Sequence, residues 1–247
     1  MQMLNRDTLP ARLFLFLSRL SLVTALLLLA ATAFYAGEGA PTGTATVLGQ
    51  EYGELLRAAG SPIAYRLATL FETLHWLMLG GTLIVLAAAF ALRAPIQAAC
   101  VALCGISQLE GSLGALLRLD GIGDLAARFA SSAPDQRMVL LQSFLDMKRV
   151  SGADYDISLL LGGVGFLLVA WLAWNWAGFP RWLSAGLGVT GLLGLAVFVT
   201  HAAGFPASPM IALDVIVLIA VLVAVAAAFW RPSSILVSGF RIAPAAT

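Results

Sequence analysis

Charge is what this sequence has least of. Only 11% of its 247 residues are Asp, Glu, Lys or Arg, against roughly a quarter in an average soluble domain. The acids and bases nearly cancel, at a net charge of +1. No basic footprint for a nucleic-acid partner is present, because phosphate binding needs clustered Lys and Arg. Cysteine is almost absent too. Cys100 and Cys104 are the two in the chain, one helical turn apart in an apolar run. Neighbouring turns of a helix rarely close a disulfide, and the spacing is not the C-x-x-C of redox motifs. They read as small packing residues, with a soft-metal or redox role as the lesser alternative. The sequence also has no phosphate-binding loop, no zinc-protease His-Glu-x-x-His, no evident Ser-His-Asp arrangement and no internal repeat. No substrate is named by any motif, and whether the chain is an enzyme stays open.

What fills the chain instead is hydrocarbon. Apolar residues make up 60% and the mean hydropathy is +0.93. A helix crosses a hydrocarbon core of about 30 Å with about 20 apolar residues, and the sequence holds six such runs. The expected fold is all-α: a polytopic membrane protein, one integral domain over residues 1–247, with six transmembrane helices. The spans are 13–35, 63–92, 96–117, 157–178, 183–204 and 210–230. The first, with Arg6 and Arg12 ahead of it and Ala31-Thr32-Ala33 near its end, has the outline of a signal peptide. It is taken here as a retained anchor. Glu38 to Pro62 reads as a loop with a short helix around 51–59. Arg93-Ala94-Pro95 forces a turn, since proline cannot continue a helix comfortably. The polar segment 120–156 is expected as an amphipathic interfacial element between spans three and four. It opens at Pro134, with Met138, Leu141, Phe144 and Leu145 on one face, and either lies on the membrane surface or caps the bundle.

Two stripes of small residues recur at helical spacing. One is Cys100, Cys104, Ser107, Glu110, Gly111 and Gly114; the other is Ser184, Gly188, Gly191, Gly194, Phe198 and His201. Small residues let helices approach closely in lipid. Trp171, Trp174, Trp176, Phe179 and Trp182 form an aromatic belt of the kind found at membrane interfaces. Six spans put both termini on one side. Lys and Arg divide seven and seven between the two sides, so the count alone does not orient the chain. The bare positive charge of the N-terminus and of the short connections at Arg93 and Arg181 places both termini in the cytoplasm.

Ionisable groups inside a membrane helix are costly and usually face a bundle interior or water. Glu72 and His75 stand three residues apart on one helix face. Counted at about 1.5 Å per residue from the cytoplasmic ends, Glu72 lies near 31 Å, His75 near 27 Å, Glu110 near 21 Å, His201 near 30 Å and Asp214 near 25 Å. Four spans thus bring Glu72, His75, Glu110, His201 and Asp214 to one outer layer. These five are the candidate pocket or ligand-binding residues. Two histidines with three carboxylates suit a transition metal such as zinc, iron or copper, with His75, His201, Glu72 and Glu110 as the candidate ligands. Glu72-x-x-His75 has half of the paired motif of di-iron bundles, and the two histidines could hold a haem. A proton or cation path is the third chemistry. The bland alternative is that groups so near the boundary reach headgroups or water, with Glu72 paired to Arg66 or His75.

At Pro180-Arg181-Trp182-Leu183, followed by Ser184-Ala185-Gly186-Leu187-Gly188, the chain resembles a bacterial family, the domain-of-unknown-function family numbered 4386. Its members look like six-span proteins with a similar short turn between spans four and five and a longer polar segment before span four. The resemblance extends over residues 10 to 230. It implies a bacterial inner-membrane location and the same fold, and carries no activity, cofactor or catalytic residue.

Three functional readings follow. The first is a binding or transport module for an ion, metal or small molecule in an outer-leaflet polar pocket. The second is a non-catalytic accessory subunit that meets other membrane proteins through its glycine stripes and amphipathic segment. The third is a membrane metalloenzyme. All share the lipid bilayer as partner, and a metal or haem is the less favoured occupant.

Overall fold

The structure, a computed structural model, describes residues 9–37, 55–56, 58–91, 93–176, 178–203, 205 and 208–230. Its regular elements are six long helices: α1 Leu9–Gly37, α2 Pro62–Phe90, α3 Pro95–Ser131, α4 Pro134–Trp174, α5 Arg181–Ala202 and α6 Ser208–Trp230. Each is long and apolar enough to cross a membrane. The chain is an all-helical, multi-pass membrane protein. Residues 55–56 and 58–60 are also helical, within the short helix expected near 51–59. Most of the 38–62 loop and the tail from Arg231 lie outside the described residues.

Proline sets the boundaries. α2, α3 and α4 all begin on a proline, where the missing N–H costs nothing and the fixed φ already suits a helix. Pro180 caps α5, and its carbonyl accepts from the Leu183 and Ser184 amides at 3.0 and 3.1 Å. The Arg93 turn forms as the sequence requires, both Arg93 and Ala94 donating to the Phe90 carbonyl at 3.0 Å. Before Pro180 the chain reverses at Gly178, whose φ of 87° is open to glycine and strained for other residues.

The element boundaries differ from expectation in one place. Residues 120–156 do not make a separate interfacial element. α3 runs on to Ser131 and α4 starts at Pro134 and continues unbroken to Trp174. At 37 and 41 residues these helices measure about 56 and 62 Å, roughly twice the hydrocarbon core. No proline interrupts either one after its first residue, and Ile122, Ala126 and Phe129 keep a helical apolar period past the charged residues.

The described residues pack as two compact units. One comprises the described residues within 1–26, 77–109 and 156–247; the other comprises those within 27–76 and 110–155. In the first unit, helices meet through bare backbone. Gly80 and Gly105 face each other across α2 and α3, and Gly163 and Gly191 across α4 and α5. The second small-residue stripe is thus a packing seam, with Ser184, Gly191 and Gly194 all buried. Ser18 donates to the Ala226 carbonyl at 2.7 Å, joining α1 to α6. The aromatic belt divides. Trp171, Trp174 and Trp182 are exposed, whereas Trp176 and Phe179 are buried. Trp176 packs edge-on to Phe90 at 4.8 Å, with the Arg93 guanidinium 5.7 Å from its centroid.

The second unit has a core like that of a small soluble bundle: Leu55, Ala58, Tyr65, Ile122, Ala126, Phe129, Leu140, Leu141 and Phe144. Here the amphipathic face of 134–156 is used, since Leu141 and Phe144 are buried and Leu145 packs beside them. Met138, expected on that face, is exposed.

A Cβ at Gly163 would stand 2.9 Å from the Gly191 carbonyl oxygen, whereas one at Gly152 meets nothing within 4 Å. Gly163→Val should therefore cost about 1–3 kcal/mol through overpacking, and Gly152→Ala should be neutral or stabilising by up to about 1 kcal/mol. Thermal unfolding in detergent, followed by circular dichroism, compares them; equal midpoints would sink the seam.

Candidate functional site

The candidate residues fall in both units. Glu72, His75 and Glu110 belong to the unit of 27–76 and 110–155, and His201 and Asp214 to the other.

In the first group, Glu72 is held by Arg118. Nη2 of Arg118 donates to Oε1 of Glu72 at 2.5 Å, with the two side chains 16% and 13% exposed. The pair neutralises a carboxylate that would be expensive to hold alone in an apolar helix. Arg118 continues the stripe of Gly111 and Gly114 by one more turn, so extending that period past the expected end of span three would have found it. One turn along α2 from Glu72, His75 is 2% exposed. Its ring meets Trp76 at 5.7 Å, and Trp76 meets Tyr155 of α4 edge-on at 5.5 Å.

Helix register brings Glu110 to the same level. Ser112 donates its hydroxyl to the Thr73 carbonyl at 3.2 Å, and α2 and α3 run antiparallel. Two residues onward from Thr73 is His75; two residues back from Ser112 is Glu110. On the other side, Gly114 lets α4 close in, its built Cβ lying 3.1 Å from the Ser151 carbonyl oxygen and 3.2 Å from Asp154 Cβ. Four residues back from Gly114 is Glu110, and four onward from Ser151 is Tyr155. One level of this unit thus holds His75, Trp76, Glu110 and Tyr155. Two polar atoms there are buried with no hydrogen-bond partner among the described residues: Oε2 of Glu110 and the indole Nε1 of Trp76. One accepts and the other donates.

In the other unit His201 is paired with Asp156, Nδ1 to Oδ1, at 2.7 Å, with the side chains 51% and 23% exposed. A carboxylate on Nδ1 fixes the ring and leaves Nε2 as its outward nitrogen. Asp156 was outside the candidate set; as the last acid before the apolar run of α4 it carried only a weak signal. Asp214 on α6 has Oδ1 buried without a partner among the described residues. A third polar place emerged at Gln108, which is fully buried. Its Nε2 donates to the Cys104 carbonyl at 3.0 Å and the Ser158 carbonyl at 3.2 Å, under the bare backbone of Gly162. A lone amide one turn from Cys104 in an apolar run was its signal.

Among the described residues no group of three or more His, Cys, Asp or Glu side chains is placed to hold a metal ion. The ligand set His75, His201, Glu72 and Glu110 draws on both units, and the Glu72 carboxylate is already bound to a guanidinium. No family model, curated protein or solved structure matches the chain. The class that the fold and the site define is a multi-pass membrane protein with a buried polar level.

Removing one member of a buried ion pair strands the other charge. Glu72→Gln and Arg118→Met should each cost about 3–5 kcal/mol, and the double variant should recover most of it. His201→Asn, which removes a half-exposed pair, should cost under about 1 kcal/mol. Unfolding midpoints in detergent measure all four variants; additive losses in the double variant would refute the coupling.

Proposed function

We propose that this chain is a bacterial inner-membrane protein, with both termini cytoplasmic, that binds or passes an ion or small polar molecule through the unit carrying Glu72, His75 and Glu110. The observation that supports it most is the neutralised Glu72–Arg118 pair one turn from a second carboxylate, Glu110, whose buried Oε2 has no donor among the described residues. A purely structural polar cluster satisfies its buried atoms, whereas this one leaves an acceptor and a donor for something else. One imidazole and one uncommitted carboxylate suit a proton, a small cation or a protic molecule better than a transition metal, which takes three or more protein ligands. The Arg93 and Arg181 turns support the orientation. The turn at Pro180–Leu183 supports placement with the six-span family numbered 4386.

Proteoliposomes containing the full chain, compared with protein-free vesicles, test the reading with protons, sodium, potassium and zinc in turn. Flux or retention of at least one above the empty vesicles is expected, falling to their level in Glu110→Gln. No difference for any of the four would remove the reading. Purification in mild detergent also separates it from the accessory-subunit alternative, which requires a second membrane protein at fixed stoichiometry.

A further inference from the structure

We propose that Glu110 is the proton-exchanging group of this site, and that a single water-sized protic guest bridges its Oε2 to the indole N–H of Trp76. The inference deepens the reading above and rests on it. Trp76 is 8% exposed, its Nε1 is wholly buried, and neither Nε1 nor Oε2 of Glu110 has a partner among the described residues. Two independent contacts, Ser112 on Thr73 and Tyr155 on Trp76, set the indole and the carboxylate at one level. A buried donor and a buried acceptor left facing the same level are each costly, and one water removes both costs by accepting from the first and donating to the second. A bare metal cation does not satisfy an N–H donor. A water molecule does, and it can hand a proton to the carboxylate and take it back.

The charge balance points the same way. The titratable and charged groups around Glu110 are Glu72 and His75 on α2, Arg118 on its own helix, and Asp154 and Tyr155 on α4, while residues 27–34 of α1 carry none. Arg118 is engaged by Glu72, so its positive charge is already matched. An ionised Glu110 is then a surplus negative charge at a mostly apolar level. Uptake of one proton by Oε2, from a hydronium that returns to water, removes that charge, and release restores it.

Infrared difference spectroscopy of the full chain in nanodiscs, stepped from alkaline to acid buffer in H2O and D2O, tests this. Beside the bands of exposed acids such as Asp124 and Asp146, one further carboxylic-acid C=O band should appear on acidification and move down in D2O. It should vanish in Glu110→Gln and stay present but shifted in frequency in Trp76→Phe. Glu110→Asp keeps the acid on a shorter arm and should also shift the band, a second check if the glutamine variant does not fold. A Glu110→Gln spectrum that has lost no band relative to the parent overturns the assignment, and a Glu110 band unmoved in Trp76→Phe overturns the bridge. Ion flux without any Glu110 band leaves the broader reading standing and overturns the proton assignment alone.

Discussion

Hydrocarbon neither donates nor accepts a hydrogen bond, and every other feature of this chain follows from that. A backbone in lipid must bond to itself, so the spans are helical. Their hydroxyls obey the same demand. Thr24, Thr69, Thr73, Thr82, Thr190 and Thr200 each donate to the carbonyl four residues back on their own helix. A threonine so engaged has its hydroxyl satisfied within its own helix, and Thr24, Thr69, Thr73, Thr82 and Thr190 can then be buried against other helices. Where a group cannot bond within its own helix, another helix must supply the partner, as Arg118 does for Glu72 and the Ser158 carbonyl does for Gln108. Among the described residues few buried polar atoms escape this rule, and those of Glu110 and Trp76 stand out because they escape it at one level.

The two units answer the constraint differently. The unit with Gly80, Gly105, Gly163 and Gly191 uses close backbone contact, which gains dispersion where burial of apolar surface gains little because lipid is already apolar. The unit with Tyr65, Phe129 and Phe144 fills a core with large side chains, as a water-facing bundle does. Its long helices carry charges such as Arg128, Asp146 and Arg149 on exposed faces, where an ion pair like Arg149–Asp146 contributes little.

Most of the fold was legible because helix period and proline are local signals. Pro62, Pro95 and Pro134 open helices where the sequence says they should, and the six apolar runs are the six long helices. The overlong α3 and α4 were not, because a charged stretch was read as an exit from the helix. Apolar residues at helical spacing carry α3 on through Ile122, Ala126 and Phe129 despite Asp124 and Arg128, and carry α4 from Pro134 through Leu141 and Phe144. The site was legible by residue type and not by partner. An ionisable residue in an apolar run announces itself, as Glu72 and Glu110 do. What it touches depends on helix register, which no single stretch encodes, so the pairings of Arg118 with Glu72 and of Asp156 with His201 came only with the three-dimensional arrangement.

The paired glycines at 80 and 105 and at 163 and 191 bear on how such a chain assembles. Helices in a bilayer form first and associate afterwards. A large side chain arriving at a seam must surrender its rotamers, at a cost of about 0.5–2 kcal/mol each. Glycine has none to surrender, and its backbone was already ordered when the helix formed. At these four positions, docking resembles the meeting of two finished surfaces, and the entropic toll of association falls elsewhere along the seam.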